Sequence, residues 1–177
     1  MIFRLTPFFL VCLISGCLAT APIHPEASRH NTTGVAHLQS GRLKQAATSF
    51  HLSLEYNPCH PDALHNLALI ALLNEDLPTA ERYEKEALIC RPDLVQAVNG
   101  LGVVRRAQGN LEEALEMFEQ AIAMDPGYLE ARKNLILTAL DLGRRERARV
   151  QLNRFAILAP EDPFIPEVDD VLHNTIN

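Results

Sequence analysis

The 177-residue chain has no surplus of basic residues: 16 Lys and Arg stand against 22 Asp and Glu, a net charge of −6. A nucleic-acid binder needs a basic stripe to displace counterions, so that class is not expected. Long apolar runs are missing as well. The longest lies within residues 1–16 and falls short of the roughly 20 residues that a membrane-spanning helix needs. Catalytic signatures are also lacking: there is no G-x-S-x-G elbow, no phosphate-binding loop and no dinucleotide fingerprint. Neither H-E-x-x-H nor a paired C-x-x-C occurs, so the 7 histidines and 4 cysteines do not fall at zinc-ligand spacing. Five of those histidines (His30, His37, His51, His60, His65) cluster early in the chain and read as surface residues. Carboxylate pairs such as Glu112-Glu113 sit where a helix would start, and the macrodipole accounts for them. No cofactor, metal or enzymatic activity is expected.

What the chain does have is a period. Pro58, Pro92, Pro126 and Pro160 recur every 34 residues, and Ala46, Ala80, Ala114 and Ala148 keep the same step. So does the column Gly34, Ala68, Gly102, Ile136. A fixed period of this size implies stacked supersecondary units, each too small to bury its apolar face alone. Four units follow, 27–60, 61–94, 95–128 and 129–162, each read as helix, turn, helix, turn. In the third, Val98, Leu101, Gly102, Val104 and Arg105 share one helical side and Gly109 stops that helix. Asn110 is placed to cap the next helix, along which Leu111, Ala114, Leu115, Phe118, Ala121 and Ile122 repeat at helical spacing. Small residues in the Gly34 and Ala46 columns admit close helix approach, and Phe50, Phe118 and Leu152 fill the gap opposite.

This pattern resembles the tetratricopeptide repeat, over residues 27–162. The resemblance implies an all-α fold: a right-handed α-solenoid of four helix–turn–helix repeats, closed by a short C-terminal capping helix within 163–177 with Val168, Val171 and Leu172 on one side. Two departures stand out. Unit one carries polar His30, Thr33 and His37 as a terminal unit would, and unit two has Glu84, beside Tyr83, where an aromatic is usual. In this family the first helix of each unit lines the concave side. The resemblance therefore puts three columns there: Asn31, His65, Asn99 and Lys133; Val35, Leu69, Val103 and Leu137; and Leu38, Leu72, Arg106 and Leu140. Of the family's carboxylate clamp only Asn66 is matched, since Asn31, Val35, Gln96 and Gly100 occupy the remaining positions. Apolar rungs flanked by amides fit a peptide segment or an amphipathic helix as partner.

The first 16 residues stand apart. Arg4 is their only charge, and an apolar stretch from Pro7 to Ile14 leads into Ser15, Gly16 and Cys17. That layout is a secretory leader. The quartet Ile14-Ser15-Gly16-Cys17 resembles the bacterial lipobox, which implies lipidation of Cys17, a tether over 17–26 and, with Leu18 following, an outer-membrane, periplasm-facing location. The alternative is an ordinary cut after Ala19-Thr20-Ala21, which would leave Pro22 as the first residue. Leader plus repeats is similar to the type IV pilus pilotins. That resemblance implies a non-enzymatic adaptor for a secretin, and a scaffold for cell-wall hydrolases or synthases is the competing expectation.

Cys59 and Cys90 remain as an even pair. A bridge is sterically conceivable, but packed helices lie about 8–10 Å apart and a disulfide needs Cα atoms within about 7 Å, so two free thiols are expected. Arg144, Arg145, Arg147 and Arg149 read as a solvated face, with a docking patch for an acidic partner or lipid headgroups as the alternative.

Overall fold

The computed structural model of the protein describes residues 24–174. The leader, Cys17 and most of the tether lie outside the described residues. Helices α1 (Pro25–Gln39), α2 (Leu43–Tyr56), α3 (Pro61–Leu73), α4 (Leu77–Cys90), α5 (Val95–Ala107), α6 (Leu111–Met124), α7 (Leu129–Asp141), α8 (Arg145–Leu158) and α9 (Phe164–Asn174) follow one another, with no strand among the described residues. Odd and even members pair as α1–α2, α3–α4, α5–α6 and α7–α8, and each pair packs on the next to form an all-helical solenoid. The first helix begins two residues ahead of the 27–60 unit because Pro25 fits the first turn, where its missing N–H would be unpaired anyway.

Local chemistry explains the boundaries. His24, His60 and Asp76 accept hydrogen bonds from Glu26, Ala63 and Thr79 backbone N–H groups, satisfying helix-start donors. Asn110 stands at the corresponding position of α6, but its side chain makes no capping bond. The expected cap is therefore absent, and the Leu111 N–H bonds to the Gly109 carbonyl instead. Each second helix ends on a residue of extended or near-extended backbone (Asn57, Arg91, Asp125, Ala159), with the periodic proline next. The turn inside each pair needs one left-handed residue. Gly41, Gly109 and Gly143 supply it at φ 70, 81 and 70°, and in the second pair Glu75 does so at φ 59°.

Packing follows the columns read from the sequence. Phe50, Phe118 and Phe155 are fully buried. A Cβ on Gly34 would lie 2.5 Å from the Phe50 ring, and one on Gly102 would lie 2.5 Å from the Phe118 ring. Ring and glycine therefore come together. Where the column holds Ala68 or Ile136, the opposite residue is Glu84 or Leu152. Tyr83 takes part of the missing aromatic's place, packing half-buried between the apolar clusters of the first two repeats. The capping helix closes the far end: Val168 and Leu172 are buried, and Phe164 meets Phe155 edge to face at 5.5 Å. Val171 is exposed, so the expected apolar trio of this helix is buried only in part.

The cysteines depart from the expected spacing. Cys59 and Cys90 form a disulfide with Cα atoms 5.4 Å apart. Axis-to-axis spacing does not apply to them, because Cys59 is on no helix. It lies in the α2–α3 loop, where the Asn57 side chain accepts its N–H at 3.1 Å and turns the loop toward the last turn of α4.

The arginines at the head of α8 are already engaged. Arg144 and Arg147 pair with Glu112 and Glu119 of α6, Arg149 with Glu146, and Arg145 donates to the carbonyls of Val171 and Leu172. These contacts stitch α8 to α6 and α9, and they leave three of the four arginines of the expected docking patch in ion pairs and the fourth on backbone carbonyls.

Candidate functional site

The inner surface is built from α1, α3, α5 and α7, and its two halves differ. Toward the helix C-termini lies an apolar cavity of about 830 Å³, lined by Leu38, Leu69, Leu72, Leu73, Glu75, Leu77, Val103 and Ala107. Leu38, Leu69, Leu72 and Val103 come from the predicted columns, and all four are half-buried. Val35 and Leu137 are also half-buried but lie outside this lining, so the cavity spans the first three repeats and not the whole ladder. Leu140 packs against the core beneath the cap. Four lining residues escaped the sequence reading: Leu73, Glu75, Leu77 and Ala107. The period itself held a signal, since Glu75 interrupts the column Gly41, Gly109, Gly143. Leu73 is 63 % exposed at the end of α3, where it carries the apolar lining out to the surface.

Toward the helix N-termini the surface is polar, but its groups are bound to one another. Asn66 donates to the Asn31 side-chain carbonyl at 3.2 Å, and Asn134 donates to that of Asn99 at 3.0 Å. Asn99 is only 8 % exposed. Asn31 and Asn99 belong to the inward column expected to face a partner; in the structure they join neighbouring repeats, because each meets an asparagine of the adjoining first helix. Lys133 is likewise committed, to Asp162 at 3.0 Å and to the faces of Phe155 and Phe164, and Arg106 is committed to Asp141 at 2.7 Å.

The middle junction breaks the amide pattern. Gly100 replaces an asparagine, and the space it leaves is filled by the carboxyl of Glu84, 2.0 Å from where a Cβ on Gly100 would sit. Glu84 is fully buried, with both oxygens 3.0 Å from His65 Nδ1. Burial pushes its carboxyl above the ordinary carboxylate range, and the hydrogen bond and charge of His65 pull partly the other way. A raised acid binds its proton more tightly in the folded chain, so stability falls as pH rises from about 4.5 through the folded value. Glu84→Gln keeps the shape and removes the charge. Thermal melts of both chains from pH 4 to 8 should show the variant gaining on the wild type as pH rises, then levelling; a pH-independent difference would contradict the shift. One helical turn away on α4, at the same junction, Glu81 is bound by Arg105 of α5 through two nitrogens, with Lys85 and Gln108 assisting, and these contacts draw its carboxyl down to about 2.

No group of three or more His, Cys, Asp or Glu side chains that could hold a metal occurs among the described residues. Of the early histidines, His60 caps α3, His30 stacks on Tyr56 at 5.5 Å, and His65 faces Glu84.

Paired helices in register, with an apolar trough on the inside, define a helical-repeat scaffold for contact between proteins. Tetratricopeptide-repeat family models match residues 31–94 and 105–163, which together take in most of the chain, and the protein belongs to the tetratricopeptide repeat family. Similar solved structures carry the same fold. The Pseudomonas aeruginosa PilF structure superposes with a TM-score of 0.76 at 21 % identity, over 83 % of this chain and 67 % of that one. A thermophilic TPR protein of Thermus thermophilus gives 0.73 at 24 % identity, over 85 % and 83 %. The first TPR of Spaghetti, bound to an HSP90 peptide, gives 0.61 at 21 % identity, over 67 % and 94 %.

Proposed function

We propose that the protein is a non-enzymatic adaptor that holds an apolar segment of another polypeptide in the trough formed by α1, α3 and α5. The observation that carries this reading is the 830 Å³ cavity, walled by leucine and valine side chains that stay partly open to water. A packed repeat core does not need such an opening, whereas a groove for an apolar peptide or an amphipathic helix does. The polar half of the inner surface, locked by its own amide pairs, keeps the repeats in register so that the trough holds its shape.

The finer reading is a lipoprotein adaptor of the pilotin kind, anchored through Cys17 to the outer membrane and presenting its trough to a secretin. The leader over residues 1–16, running through Ser15-Gly16 up to Cys17, supports it, as does a bridged cysteine pair, since disulfides persist in oxidising compartments such as the periplasm. A scaffold for cell-wall hydrolases or synthases shares the architecture and differs only in the client.

The test is in-cell cross-linking from probes at Leu69 and Val103, followed by identification of the captured protein. Leu69→Glu with Val103→Glu should abolish capture while helicity is retained, because two charges in the trough cannot be covered by apolar side chains without a large desolvation cost. Capture that survives both charges would remove the trough from the mechanism. Recovery of murein enzymes in place of a secretin would select the second client. Fractionation of Cys17→Ser provides the companion arm: this variant should leave the membrane, and one that stays would end the lipid reading.

A further inference from the structure

We infer that the segment held in the trough carries a lysine or arginine beside its apolar residues, and that Glu75 is the residue that selects it. This rests on the trough being the binding site.

Two independent observations converge on Glu75. The first is conformational. The turn between paired helices requires a left-handed backbone, and three of the four turns meet it with glycine. Glu75 meets it at φ 59°, a region that costs any residue with a Cβ. Nothing in the packing demands a glutamate there, for its side chain is exposed. Glycine would serve the turn better, as it does at Gly41, Gly109 and Gly143. The second is position. Glu75 lines the apolar cavity, on the rim formed by Leu72, Leu73 and Leu77.

Electrostatics narrows the partner. Other charged groups of the inner surface are compensated within the chain: Lys133 by Asp162, Arg106 by Asp141, and Glu84 faces His65. Glu75 has no ion-pair partner among the described residues. A carboxylate left alone at the lip of an apolar trough favours a cation on whatever fills the trough and disfavours an anion. The turn fixes its backbone at the lip of the trough, within reach of whatever fills it.

The experiment uses the folded chain and two synthetic amphipathic helices of about 14 residues, long enough for four turns. They share one leucine face, and one is flanked by lysines, the other by glutamates. Affinities are read by fluorescence anisotropy at physiological salt. The lysine peptide should bind more tightly, by up to about fivefold for each lysine that reaches Glu75. In Glu75→Gly that preference should fall toward unity while the melting temperature rises, since glycine relieves the turn. Glu116→Gln, a charge change on α6 remote from the trough, should keep the preference. Equal binding of both peptides by the wild type overturns the inference and leaves the trough intact. Preference retained in Glu75→Gly overturns it too, by assigning the effect to overall charge. A Glu75→Gly chain less stable than the wild type would show that the turn is not strained, and would overturn the conformational half of the case. Failure of both peptides to bind sinks the trough reading, and this inference with it.

Discussion

Replacing both Cys59 and Cys90 with alanine should lower the free energy of unfolding by about 3–4 kcal/mol. The bridged residues are 31 positions apart, and closing a loop of that length in the unfolded chain removes conformational entropy of this order. Set against a typical total of about 5–15 kcal/mol, the loss is large. It should also be unevenly distributed. The loop encloses α3 and α4, so the bridge ties the end of the first pair to the end of the second. In a solenoid each unit leans on its neighbours only, so weakening this junction loosens α1 and α2 before it reaches α7. Denaturant unfolding with and without reductant measures the total, and amide exchange locates it. Protection should drop in α1–α4 and hold in α5–α8. A change below about 1 kcal/mol would show that the bridge adds little to what packing already holds, and a uniform loss of protection would show that its effect is not confined to the bridged junction.

The second expected result concerns Gly102 and Phe118. Phe118→Ala should cost about 3–5 kcal/mol, as expected for emptying a fully buried aromatic site. Gly102→Ala should also destabilise, although alanine is the better helix former by about 1 kcal/mol. Its Cβ would lie 2.5 Å from the Phe118 ring, and that ring is sealed among Leu115, Leu135 and Ala139, so relief requires the helices to part. Overpacking of this kind costs about 1–3 kcal/mol. Combining Gly102→Ala with Phe118→Leu should recover part of the loss, because the chain already pairs a larger inner residue with a non-aromatic partner at Ile136 and Leu152. A double-mutant cycle by chemical denaturation measures this coupling, and strict additivity would contradict the ring-on-glycine account.

The same pair of columns shows how far the sequence could be read. Ring and glycine recur with the period, so their packing was legible column by column. Glu84 stood out as a departure, but its partner did not. Gly100 and His65 lie in different columns, and only the stacked helices bring them together under one carboxyl. The trough was half legible. Leu38, Leu69, Leu72 and Val103 followed from the inward helix face, whereas Leu73, Leu77 and Ala107 join them from the end of α3, the start of α4 and the end of α5.

By itself the sequence determined the number of helix pairs, their order and their turns, because prolines, turn glycines and helical spacing act over a few residues and recur with the period. The tertiary structure alone decided which inner polar groups stay free. Asn66 reaches Asn31, Asn134 reaches Asn99 and Arg106 reaches Asp141, each across 35 positions, one more than the period. Those contacts run diagonally from one repeat to the next. A diagonal depends on how far each unit is rotated against its neighbour, and that rotation is set by the summed packing of both faces.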